Sequence, residues 1–145
     1  MNMSNNLHIL LSSLRQKGHK ITSVREAVLE IFLKEERPLA AADVLIRLKR
    51  RGLIPHKTTV YRELEFLLDQ KLLREVVFDD GQIRYERLGE GHYHHLICLS
   101  CKKVAKIELA DDLEKEEKTI ERKMKFKVKR HSLEFYGVCA NCDKR

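Results

Sequence analysis

Cys98 and Cys101 are separated by Leu99 and Ser100, Cys139 and Cys142 by Ala140 and Asn141, and these are all the cysteines of the chain. A two-residue spacer lets both sulfurs of a pair face one point, so two such pairs match the tetrahedral, all-sulfur preference of a structural zinc ion. The alternative for an even cysteine count, two disulfides, needs an oxidising compartment. Met1 to Asn6 carries no basic side chain, and the apolar stretch Leu7 to Leu11 is short and interrupted by His8, so no export signal is expected and zinc is preferred. The 37 residues between the pairs exceed the gap of a compact zinc finger. The ion is therefore expected to pin distant strands of one domain, as a staple without the open position that catalysis needs.

His92, Tyr93, His94 and His95 stand directly before the first pair. Imidazoles in that setting suit a second, more open metal site. His8, His19 and His56 have no such company and are read as ordinary core or surface residues.

The chain has 145 residues, 43% hydrophobic and 35% charged, enough for one ordinary domain or two small ones, the second poor in core. No apolar run approaches the ~20 residues of a membrane span, and a cytoplasmic protein is expected. The net charge of +7 is a mild hint of nucleic acid and does not locate a binding face.

Leu7, Leu10, Leu11 and Leu14 recur at helical spacing up to Gly18. Ser23 to Glu26 reads as a capping box opening a second helix with Ala27, Val28, Ile31 and Phe32 on its apolar stripe. A third helix runs from Ala41 to Arg51 and stops at Gly52. A fourth, Thr58 to Gln70, buries Val60, Leu64 and Leu67 and turns Thr59, Arg62, Glu63 and Glu65 outward, as a helix that reads DNA would. Leu72 to Phe78 and Gln82 to Arg87 are β-rich runs around Asp79, Asp80 and Gly81, which favour a tight turn. Helices followed by such a hairpin make a winged helix-turn-helix.

Gly89, Glu90 and Gly91 are expected to form a hinge. Beyond it, His94 to Ile97 and Val104 to Leu109 read as strands, and Asp112 as the cap of a helix whose acidic first turn suits the dipole, with Leu113, Ile120 and Met124 facing inward. Phe126 to Val138 alternates as a closing strand whose phase slips between Val128 and Leu133.

Three stretches together resemble the ferric uptake regulator (Fur) family of bacterial metal-dependent repressors: Thr58 to Arg62, His94 to Cys101 and His131 to Cys139. The resemblance covers about Leu14 to Cys142. It implies an α+β chain, with a winged helix-turn-helix over residues 1–88, a hinge at 89–91 and a small α/β dimerisation and metal-binding domain over 92–145. It implies a homodimer that represses transcription at a double-stranded DNA operator, with no membrane and no small-molecule substrate as partner. Structural zinc carries over to Cys98, Cys101, Cys139 and Cys142. Contacts to DNA carry over to Tyr61 and Arg62, with Lys20 and Arg25 at the backbone or minor groove. Thr59 is chemically suited to a phosphate, Tyr61 to a thymine methyl and Arg62 to guanine or phosphate; a solvated Arg62 and a core-edge Tyr61 are the plain alternatives.

The resemblance also implies two regulatory metal sites. The one in the dimer domain maps to His92, His94, Glu114 and His131, with one residue inserted after Cys101; the acidic start of a helix explains Glu114 equally well without metal. The one at the hinge maps to Glu86, His95 and Glu108 and is degraded. Tyr93 stands where a histidine is expected, Pro38 or Leu39 stands where another often comes, and tyrosine binds borderline divalent metals poorly unless ionised. Imidazole with carboxylate suits Fe2+, Zn2+, Mn2+ or Ni2+. The resemblance puts Fe2+ first and control of iron uptake genes as the role, with zinc-responsive and peroxide-responsive members of the family as alternatives.

No enzymatic activity is expected. A zinc hydrolase would lack a helical His-Glu-x-x-His motif or an activated nucleophile and would leave the winged helix unexplained. A constitutive, zinc-stapled nucleic-acid-binding module is the remaining rival, distinguished by DNA affinity that ignores the exchangeable metal.

Overall fold

The computed structural model describes residues 3–89, 93–109 and 113–144. The chain divides into two compact units, Met1–Leu88 and Gly89–Arg145.

The first unit opens with α1 (Met3–Gln16), α2 (Ser23–Lys34), α3 (Ala41–Arg50) and α4 (Lys57–Asp69). Leu11 and Leu14 of α1, Val28 and Phe32 of α2, Val44 and Leu48 of α3, and Val60, Leu64 and Leu67 of α4 meet in one core. The apolar stripes read from helical spacing are thus the buried ones. The start of α2 lies one residue before the expected cap: Thr22 is the N-cap, its Oγ1 accepting the Arg25 N–H at 3.1 Å, and Ser23 is the first helical residue. Either hydroxyl satisfies an orphan donor of the first turn, so the sequence left the frame ambiguous. Gly52, at φ +77°, takes the left-handed conformation that ends α3, where a side chain would be strained.

Two strands complete this unit, β1 (Leu73–Val77) and β2 (Ile83–Arg87), paired antiparallel with Arg74 opposite Glu86. Gly81, at φ +70°, closes the turn by donating its N–H to the Phe78 carbonyl at 3.0 Å. Leu39 bridges Tyr85 on the free side of β2, exchanging N–H···O bonds of 2.8 and 2.7 Å, so the segment between α2 and α3 forms a short third edge of the wing.

The second unit holds β3 (His94–Cys98), β4 (Val104–Ile107), α5 (Glu114–Met124), β5 (Glu134–Gly137) and the single turn α6 (Ala140–Asp143). The sheet order is β4-β3-β5, with β3 antiparallel to β4 and parallel to β5. A parallel return needs a crossover, and α5 lies within it. The expected closing strand over Phe126 to Val138 shrinks to Glu134–Gly137. Residues 125–133 lie outside any strand, where Lys125 turns left-handed at φ +53° and the phase of the alternation slipped.

Ile120 and Met124 do not face inward as expected. They are 42% and 72% exposed, and no residue of α5 is buried. Phe126, Phe135, Tyr136 and Val138 are also exposed. The apolar spacing is there, but the small three-stranded sheet leaves these side chains exposed. Asp112, expected to cap α5, lies outside the described residues, and Leu113 takes the cap position at φ +35°.

Candidate metal centres and nucleic-acid interface

The four cysteines converge. One ligand atom from each of Cys98, Cys101, Cys139 and Cys142 lies within 4.8 Å of the others, and none is in a disulfide. Zinc–sulfur bonds of about 2.3 Å at tetrahedral angles place sulfurs about 3.8 Å apart. The Sγ atoms of Cys101 and Cys139 are 3.8 Å apart. The backbone builds the two loops: Lys102 turns left-handed at φ +61° and donates its N–H to the Cys98 carbonyl at 2.9 Å, while Cys142 donates to the Cys139 carbonyl at 2.8 Å.

The loops also aim N–H groups at one sulfur. Cys98 Sγ accepts from the backbone N–H of Cys101 at 3.5 Å and of Cys139 at 3.4 Å. Those bonds, the Cys101 N–H first, pull the Cys98 thiol down to about 6. Cys142 goes the other way, to about 11: the Ser100 hydroxyl lowers it, but the Cys139 sulfur, burial and the sulfurs of Cys101 and Cys98 outweigh that. Crowded thiolates resist a common negative charge until a cation joins them, and the donor set fits a closed zinc site.

The regulatory ligands expected in the dimer domain are partly gathered. His94 is 4% exposed on β3, and its ring centroid is 5.6 Å from that of His131, which precedes β5. His92 lies outside the described residues. The carboxylate beside His131 is Glu117, whose Oε1 is 2.7 Å from Nδ1. Glu114, one turn earlier, has a 72% exposed side chain and accepts from Lys118 at 2.6 Å. Glu117 was read as part of the acidic first turn of this helix; the signal that could have found it is its place one helical turn past Glu114, on the same side of α5.

The hinge ligands are placed differently. Within the first unit, Glu86 is 2% exposed and accepts from Arg74 Nε at 2.7 Å. Within the second, His95 is buried on the opposite face of β3 from His94, with the Tyr93 ring edge-on at 5.8 Å. Glu108 lies exposed just beyond β4, in a groove shared with Tyr93, Lys106 and Ile107.

On α4, Tyr61 is 41% exposed and Arg62 is exposed, with Thr59 half-buried beside them. Tyr61 is therefore no core residue. Lys20 is exposed ahead of α2. Glu63, expected to face outward, is instead turned in to Arg25, whose Nε and Nη2 donate to its carboxylate at 2.9 and 3.0 Å. The Arg25 guanidinium also lies 3.7 Å from the Phe66 ring centroid and donates to the Lys20 carbonyl. Arg25 braces α4 against the segment that carries Lys20.

The model of the "Ferric uptake regulator family" matches residues 16–136. The ferric uptake regulation protein of Bacillus subtilis is 39% identical over 145 residues, 97% of each chain. The peroxide operon regulator of the same organism is 31% identical over 93% of this chain and 92% of its own. A solved structure of a zinc uptake regulator complexed with zinc and DNA, 24% identical, superposes at a TM-score of 0.72 over 99% of this chain and 97% of that one, which shows the fold. With a family match across most of its length and a relative of that identity, the chain belongs to the ferric uptake regulator family.

Proposed function

We propose that this chain is an iron-responsive repressor of metal-uptake genes, acting in the cytoplasm as a homodimer on double-stranded DNA. Its place in the ferric uptake regulator family makes it a metal-responsive transcriptional regulator; the iron assignment follows the more similar of the two Bacillus subtilis proteins named above. The observation that carries the reading is the double use of β3. One strand delivers Cys98 to the cysteine cluster and His94 to a second donor group with His131 and Glu117.

The division of labour follows from the donors. Cys98, Cys101, Cys139 and Cys142 hold structural zinc and tie β3 to the chain's end. His94 and His131, with His92 and a carboxylate from α5, hold the regulatory ion; Glu117 supplies that carboxylate more directly than Glu114. A divalent ion, when bound, supplies a cross-link between the strand, the helix and the segment before β5. The His131–Glu117 contact brings two donors together beforehand, which lowers the ordering cost of capture. The apolar side chains left open on this unit, Ile120, Met124 and Phe126 among them, are the surface through which two copies pair. Each copy then offers one α4. Tyr61 and Arg62 read base edges, and Thr59 and Lys20 hold phosphates.

Anaerobic fluorescence anisotropy on the duplex upstream of the chain's own gene, with Fe(II), Mn(II) or Zn(II) titrated into zinc-stapled protein, tests the assignment. Tightening by Fe(II) at the lowest free concentration supports it. Tightening by Zn(II) alone would make the chain a zinc sensor.

A further inference from the structure

Within each unit a positive side chain lies near residues that the family resemblance assigns to the hinge. In the first unit, Arg74 faces Glu86 in register across the wing, its Nε 2.7 Å from the carboxylate. In the second, Lys106 of β4 faces His95 of β3 in register. The Lys106 ammonium lies 4.2 Å from the centroid of the Tyr93 ring, which itself meets the His95 ring edge-on. Glu108 borders the same groove as Tyr93 and Lys106.

This is poor chemistry for a divalent ion. An ammonium has three donors and no lone pair, so Lys106 offers nothing to coordinate and repels a second cation seated on the neighbouring imidazole. A phenol is a weak ligand for borderline metals unless ionised, and its ring face already attracts the ammonium. Glu86 is buried, and a buried carboxylate is held by the guanidinium it accepts from. The residues present do not fit a metal.

We propose that His95 and Glu108, residues that the resemblance assigns to a hinge metal, stand beside the ammonium of Lys106 in place of a divalent ion, with Lys106 the residue that excludes it. Each chain then holds one exchangeable metal, at the dimer-domain histidines. That count rests on the reading of those histidines given above, whereas the exclusion at the hinge does not.

Cobalt(II) is a suitable probe, titrated into zinc-loaded full-length protein and counted by equilibrium dialysis and by its visible absorption. Glu108→Gln and His95→Ala are expected to leave the number of Co(II) ions per chain unchanged. The double variant Lys106→Glu with Tyr93→His is expected to bind one more. Loss of one Co(II) per chain in Glu108→Gln or in His95→Ala would overturn the proposal, and so would the absence of any gain in the double variant. Glu108 is exposed, so its variant reports even where removing the buried His95 harms folding. His131→Ala separates the two readings: Co(II) retained in that variant contradicts the dimer-domain assignment, while the Glu108 and His95 variants still decide the hinge.

Discussion

Arg25 on α2 grips Glu63 on α4 with two parallel hydrogen bonds, 2.9 Å from Nε and 3.0 Å from Nη2, and both side chains are nearly out of solvent, 13% and 12% exposed. A guanidinium fork, a carboxylate and the Phe66 ring thus fix α4 to α2.

Removing either partner leaves the other charge largely buried. Arg25→Ala and Glu63→Ala should each lower the free energy of unfolding by about 2 kcal/mol, below the range of a fully buried pair. The double variant should cost less than the two single changes together, and Arg25→Lys should restore little because an ammonium cannot fork. Urea denaturation of the four proteins measures all of this.

Arg62 is exposed on α4, so its loss should act on DNA and not on stability. Arg62→Ala should leave the urea midpoint unchanged and weaken operator binding by about 1–3 kcal/mol, with relaxed preference at one base pair. Lys20→Ala should weaken binding to all sequences alike and reduce its salt dependence. Competition anisotropy with operator and random duplexes at several salt concentrations distinguishes the two effects.

Much of this was legible in the sequence, and the misses have physical causes. Val60, Leu64 and Leu67 are buried as their spacing requires, because a helix packed on a core shows its period. The cysteine pairs were legible because zinc allows few arrangements of four thiolates. Glu63 was misread since a helix position bordering the core can pair inward or face water, and only the arrival of Arg25, 38 residues away in sequence, decides. Ile120 and Met124 were misread because helical spacing marks an apolar stripe and does not say what packs against it. Glu117 and Glu114 lie one turn apart, and which of them stands beside His131 depends on where that residue returns.

The sulfur chemistry makes a proton count. The Cys98 thiol, drawn down to about 6, is ionised at pH 8 before any metal arrives, whereas Cys142, pushed up to about 11, is not. Zinc loading of the metal-free protein at pH 8 should therefore release fewer than four protons per ion. Since Cys98 is lowered from its ordinary value, it takes up its proton only as pH falls through about 6, so the number released should rise toward four below that pH and zinc affinity should fall with it. Weakly buffered titration with an indicator dye reads the number.

Glu117 and Glu114 give a direct contrast. Glu117→Gln should weaken the exchangeable metal about 10- to 100-fold, as loss of a ligand or of its close partner does, while Glu114→Gln, at a site 72% exposed and engaged with Lys118, should change it little. Competition with a chelating dye measures both affinities. Equal losses would return Glu114 to the ligand set.

A metal held at His94 and His131 is expected to control binding to DNA while the zinc cluster remains intact. Anaerobic anisotropy on the operator, with Fe(II) titrated into zinc-stapled wild-type and His131→Ala proteins side by side, tests it most directly. Wild-type binding should tighten at least tenfold with Fe(II), and the variant should stay weak throughout, with its zinc content unchanged. Tight wild-type binding that ignores the metal, or an Fe(II) response preserved in His131→Ala, would contradict it.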